Sequence, residues 1–84
     1  MELTEMKNIG LEMKKKLNFV DINTAEELIK IGSKEAFIRL KLAYPEVCLV
    51  HLYTLQGAID NIDFNALPQD VRKELKMFSD SVNT

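Results

Sequence analysis

Apolar residues recur along this chain at steps of three and four, the period of a helix face packed on a core. The first run is Met6, Ile9, Met13, Leu17 and Val20. Gly10 interrupts it, and a glycine there suits a tight turn or a close backbone approach, so helix one is placed at about 10–18. Residues 1–9 read as a lead-in with one helical turn around Leu3-Met6. Asp21-Ile22-Asn23 is a turn, with Asp21 tolerant of left-handed backbone angles. Thr24-Ala25-Glu26-Glu27 then forms a capping box: Thr24 accepts the amide of Glu27, whose carboxylate reaches back. Helix two runs over about 24–31 and stops at Gly32, which suits a left-handed cap. Ser33 recaps at once, and helix three covers about 33–44, ending at Tyr44-Pro45.

The segment from Cys48 to Ile59 is apolar on nearly every side, so helix four is predicted to be the central element, with Leu52, Leu55 and Ile59 almost fully buried. Gly57 costs that helix about 1 kcal/mol relative to alanine, a cost that close approach of another helix at Gly57-Ala58 would offset. Asp60-Asn61 and Asp63 make a polar turn in which Ile62 and Phe64 act as plugs. Pro68 suits the first position of helix five, where Val71, Leu75, Phe78 and Val82 share one face. The pattern gives five short helices with no linker and no internal repeat. Met1, Leu3, Met6 and Met77 fall at segment ends or off the main face and are predicted to stay uncovered, favouring self-association.

Composition agrees with one all-α domain, 1–84. Eighty-four residues lie near the lower limit for a self-sufficient core, and a hydrophobic fraction of 46% is ample for one. Three glycines, two prolines and no tryptophan leave few helix breakers. A net charge of −2 argues against a dedicated nucleic-acid binder, though not against a local basic face. Cys48 is the one cysteine; it cannot form an internal disulfide, which fits a reducing cytoplasm. Its place in Val47-Cys48-Leu49-Val50 predicts a buried, inert thiol. The N-terminus mixes Glu2, Glu5 and Lys7 without an apolar core, unlike a secretory signal. No apolar run approaches the ~18–20 residues of a membrane span, so the expected location is cytoplasmic.

The stretch from Asn8 to Gly32, NIGLEMKKKLNFVDINTAEELIKIG, has the grammar of a helix-hairpin-helix-like module: a glycine opening a short helix, a turn, a capped second helix and a closing glycine. Beyond it come Leu52-Tyr53-x-Leu55-x-Gly57-Ala58, Phe64 and Leu67-Pro68. With Asn8-Ile9-Gly10, Ile22-x-Thr24, Glu27-Leu28 and Ile31-Gly32, these run in one order over roughly residues 8–75. In that order they resemble the C-terminal domain of the TfoX (Sxy) family, bacterial regulators of DNA-uptake competence. Full-length members carry another domain N-terminal to this one, so the chain is expected to be a stand-alone version. The resemblance implies a compact five-helix domain with a helix-hairpin-helix-like (SAM-like) first half. It also implies a regulatory binding role in competence-type transcriptional control, without catalysis.

Candidate chemistry is sparse. His51 lies on the apolar helix, three residues from Cys48 and on the same face, but a thiolate nucleophile also needs an oriented base and an oxyanion pocket. As metal ligands the two are half a site, since structural zinc takes four. Glu26-Glu27 serve a helix end, and Glu46, Asp60 and Asp63 sit in turns. The isolated glycines exclude a Gly-x-x-x-x-Gly-Lys-Ser/Thr phosphate loop. No cofactor, metal or small-molecule substrate is expected.

Lys14, Lys15 and Lys16 are the one basic cluster. With Gly10 they could hold DNA phosphates, as hairpin amides and a neighbouring Lys do without reading sequence. Glu12 replaces the second glycine of the usual hairpin and repels phosphate there. Three successive lysines also spread over about 200° of a helix. Lys30, Lys34, Arg39 and Lys41 could extend the surface, but Glu26, Glu27 and Glu35 are interleaved. The leading expectation is therefore contact with a protein partner or a second copy, and the alternative is weak, sequence-nonspecific DNA binding through Gly10 and Lys14–Lys16.

Overall fold

Two helices form the spine onto which everything else is packed. In the computed structural model, which describes residues 1–82, α3 (Ser33–Ala43) and α4 (Leu49–Asp60) share the most extensive helix–helix contact. Phe37 and Leu40 of α3 and Leu52 and Leu55 of α4 are fully buried. Against this pair lie α1 (Leu11–Phe19), α2 (Ala25–Ile31) and α5 (Gln69–Val82), with short 3-10 turns at Leu3–Glu5 and Phe64–Ala66. The described residues contain no strand. The architecture is all-α with five α-helices.

Several local expectations hold for identifiable reasons. Thr24 caps α2, its hydroxyl accepting the Glu27 N–H at 3.1 Å, and the Glu27 carboxylate lies 3.4 Å from that hydroxyl. Asp21 is left-handed at φ 67°, which lets the chain turn so that Ile22 enters the core. α3 ends at Tyr44, before Pro45.

Others are corrected. Gly32 has φ 89° and ψ 158°, a region essentially restricted to glycine but not the left-handed helical one. It closes α2 through its N–H to Leu28 and opens α3 through its carbonyl to Ala36. Ser33 is therefore the first residue of α3 and not its cap; its buried hydroxyl donates to Gln56 and ties α3 to α4. Helix five begins one residue later than predicted, and Pro68 provides the carbonyl that accepts the Arg72 N–H. Helix four is not buried all round: Val50 is exposed and Ile59 is only partly covered. The reason is that α3, α5 and the 64–66 turn cover α4 incompletely. The helix-hairpin-helix-like detail of the first half is not confirmed. Only a 3-10 turn precedes α1, and α1 and α2 make little contact with each other.

The lead-in is part of the core. Leu3, Met6 and Ile9 are buried, whereas Met1 and Met77 are exposed. Leu3 and Met6 were predicted to stay uncovered, but they extend the stripe that continues into Met13 and Leu17. The Ala25 N–H donates to the Met1 carbonyl at 3.0 Å. The Met1 amino group donates to both Glu26 oxygens at 2.9 Å. Those hydrogen bonds hold the Glu26 carboxyl below its ordinary pKa and the amine above its own.

Asn8 joins the two ends of the domain. It sits at φ 72°, and its Nδ2 donates to the carbonyls of Ile62 (3.0 Å) and Thr54 (3.4 Å). Its Oδ1 accepts the Phe64 N–H at 3.3 Å. Gly57 makes room for this: a Cβ there would lie 2.5 Å from Asn8 Nδ2 and 2.5 Å from the Ile62 carbonyl oxygen. The close approach predicted at Gly57 is thus real, but a side-chain amide and a loop make it, not another helix. Left-handed Asn61 (φ 58°) ends α4 and returns the chain, with the Ile62 N–H bonded to the Gly57 carbonyl at 2.8 Å.

Gly57→Ala is accordingly predicted to destabilise by about 2 kcal/mol or more despite the gain in helix propensity, because backbone opposes the new methyl. Asn8→Ala should cost about 2–4 kcal/mol, combining three hydrogen bonds with the left-handed backbone penalty. Asn8→Gly should cost less, as it removes only the bonds. Urea unfolding of the three variants checks the order, and a Gly57→Ala protein as stable as the parent would contradict the geometry. In the core, Leu55→Ala should lose about 2–5 kcal/mol. Ile59→Ala should lose distinctly less in the same assay, since Ile59 is only partly covered.

Candidate functional site

The surface built by α1 begins at Gly10, the residue before its first turn. Gly10 is extended (φ −97°, ψ −175°), and a Cβ on it would meet nothing within 4 Å. Neither the tight turn nor the close approach predicted there is present; the left-handed residue of this segment is Asn8. Met13 and Leu17 face the core, which sends the three lysines in three directions. Lys14 is half-buried and pairs with Glu2 at 3.7 Å. Lys16 places its ammonium 5.4 Å from the centre of the Tyr44 ring. Lys15 points outward and is exposed. Gly10, Lys14, Lys15 and Lys16 therefore do not converge on one point, and Glu12 stands exposed among them.

Three of the cations that could extend this surface are engaged elsewhere. Lys34 pairs with Glu74 and lies over the Phe78 ring. Arg39 pairs with Glu35 at 3.1 Å. Lys41 donates to the carbonyls of Val47 (2.8 Å) and Pro45 (3.3 Å). Lys30 and Arg39 border an open depression of about 430 Å³, lined also by Asp21, Glu27 and Ile31. Two cations facing two carboxylates give it no net charge to select an ion.

The outer face of α1 carries large apolar side chains. Leu11 is 70% and Phe19 73% exposed. The Phe19 ring meets Tyr44 edge-on, with centroids 5.7 Å apart and planes at 62°. That pair joins the end of α1 to the end of α3, and Lys16 sits over its tyrosine. Sequence reasoning missed it, because Phe19 falls off the buried period; an aromatic at an outward position was the available signal.

Cys48 and His51 are brought together, but as a helix cap. Cys48 precedes the first turn of α4 and is exposed, not buried as predicted, because Val47 fills the core and Leu49 packs partly against it on either side. The Cys48 N–H donates to His51 Nδ1 at 3.0 Å, and Sγ lies 3.6 Å from the same nitrogen. The Nδ1 lone pair is therefore occupied, and the neutral ring carries its proton on Nε2. Nδ1 can take the thiol proton only by giving up the cap. Three of the candidate carboxylates are likewise engaged: Glu26 with the Met1 amine, Asp60 with Gln56 Nε2 at 2.9 Å, and Asp63 with the Asn65 N–H at 2.9 Å. Among the described residues, no three His, Cys, Asp or Glu side chains are grouped to hold a metal ion. No helix among them is long and apolar enough to cross a membrane.

This arrangement can be set against known proteins. The model of the TfoX C-terminal domain family matches residues 1–78. The chain belongs to that family. No curated protein matches it. Two crystal structures from Listeria monocytogenes have the same fold. An uncharacterised protein in a triclinic form is 37% identical, with a TM-score of 0.96 over 99% of this chain and 94% of the other. A protein of unknown function in a tetragonal form is 39% identical, with a TM-score of 0.92 over 95% of this chain and 98% of the other. In this TfoX C-terminal domain, the motifs Asn8-Ile9-Gly10 and Gly57-Ala58 meet at the Asn8 junction.

The capping assignment predicts that Cys48→Ser leaves stability unchanged or slightly raised, serine being the better cap. His51→Ala should lose about 0.5–2 kcal/mol. Chemical denaturation measures both. A thiol reagent should modify Cys48 in the folded protein at nearly the rate of a free thiol; protection that disappears only on unfolding would restore the buried assignment.

Proposed function

We propose that this TfoX C-terminal domain is a non-catalytic regulatory module that works through protein–protein contact, in keeping with the competence-type control associated with its family. The observation that carries the reading is the outer face of α1. There the lysines diverge, two of them held by Glu2 and Tyr44, while Leu11 and Phe19 stand in solvent. A phosphate backbone needs several cations aligned along one path. A protein partner needs rigid aromatic and apolar anchors with few charges at the centre, and the Phe19–Tyr44 pair has that character. A net charge of −2 further weakens attraction to nucleic acid.

The alternative, sequence-nonspecific DNA binding through Gly10 and Lys14–Lys16, makes a different prediction. It requires affinity that falls steeply with salt, about 0.9 in logarithmic slope per phosphate contact. The protein-contact reading predicts duplex binding no tighter than roughly 10⁻⁴–10⁻⁶ M at physiological salt. Replacing all three lysines with glutamine should then change little. Fluorescence titration of a labelled duplex at several salt concentrations decides, alongside capture from bacterial extract with the immobilised domain. Submicromolar DNA binding that the glutamine variant loses would make DNA the partner.

A further inference from the structure

We propose that the outward stripe of α1, formed by Leu11, Lys15 and Phe19, docks an amphipathic helix presenting an acidic side chain between two apolar ones. The inference rests on the protein-contact reading above and names its surface. Residues four apart on a helix are offset by only about 40°, so the three side chains form one ridge about 12 Å long. Met13 and Leu17 hold the opposite face in the core, which fixes the ridge outward. At one end the Phe19 ring rests on half-buried Tyr44. An aromatic anchor already held in place loses little freedom when covered.

Charge selects the partner. α1 carries three lysines against one acid, Glu12, in a chain whose net charge is −2. Lys15, at the middle of the ridge, has no ion pair or hydrogen bond with the described residues. A second copy is a poor occupant, because two-fold pairing of this ridge, parallel or antiparallel, sets Lys15 against its own counterpart. A lipid surface is also poorly served by nine helical residues with two exposed apolar side chains on an acidic chain. An acidic residue four positions from each of two apolar ones matches the ridge in spacing, hydrophobicity and charge.

The probe is a designed helical peptide with Leu, Glu and Leu at four-residue intervals, compared with its twin carrying Lys for Glu. Titrated into the isotopically labelled 84-residue chain, the Glu peptide should shift amide resonances of residues 11–19 and of Tyr44 to saturation. The Lys peptide should bind at least tenfold more weakly. Phe19→Ser should weaken the Glu peptide tenfold or more while the domain still unfolds cooperatively well above the titration temperature, and Lys15→Glu should reverse the preference between peptides. Equal binding of both peptides, shifts centred elsewhere, or no saturation at millimolar peptide would overturn the proposal. So would tighter binding to phosphatidylglycerol vesicles, or a dimer in sedimentation that Phe19→Ser dissolves. Capture from bacterial extract separates the two levels. A partner retained equally by the parent and by Leu11→Ser/Phe19→Ser removes this surface but leaves protein contact standing, whereas no partner for the parent removes protein contact itself.

Discussion

The domain depends on a missing methyl group. Gly57 has no Cβ, and the space left is occupied by the Asn8 amide and the Ile62 carbonyl, each 2.5 Å from where that carbon would be. Through this gap one side chain binds three backbone groups, from the middle of α4, the loop after it and the 64–66 turn. The lead-in, α4 and the approach to α5 are thereby fixed to one another across more than fifty residues of sequence. None of these pieces is stable alone, since helices this short are marginal in water without tertiary contact. A glycine that weakens α4 locally is what allows the remote segments to close on it.

With that junction in place, the polar surroundings are well satisfied. Among the described residues no buried side-chain nitrogen or oxygen lacks a partner. Ser33, a buried polar residue, bridges α3 and α4, and Tyr53 is held between its hydroxyl contact to Arg72 O and the Arg72 guanidinium over its ring. Polar groups inside this small core thus act as ties between helices. Unsatisfied or strained polar groups tend to mark a site for chemistry.

How much was legible in the sequence follows from what each signal encodes. The helix-period pattern located Leu52 and Leu55, because regular spacing reports burial wherever neighbours exist on both sides. Thr24 and Asp21 were legible because caps and turns are decided by the local chain. Ile59 and Cys48 were not, since their burial depends on where α4 ends its contacts and which residue precedes its first turn. Gly57 showed the need for close approach but could not name what approached. Asn8 was visible only as part of a motif; its role joins positions that the sequence separates. The lysine cluster looked like one feature because its residues are consecutive, yet consecutive helical positions point about 100° apart.

That last geometry also bears on function. A helix that packs by Met13 and Leu17 must turn the intervening positions outward, and the fold alone would be served by polar residues at all of them. Lys14 and Lys16 meet neighbours that the fold already supplies, Glu2 and Tyr44. Leu11 and Phe19 differ: burying either would favour folding, yet both remain mostly in water, Phe19 with one ring contact to Tyr44. Isolated exposed apolar residues are ordinary, but here two lie on one ridge with a lone cation between them, and one is braced against a second ring. The core accounts for the inner face of α1, and the proposed helical partner would account for its outer face.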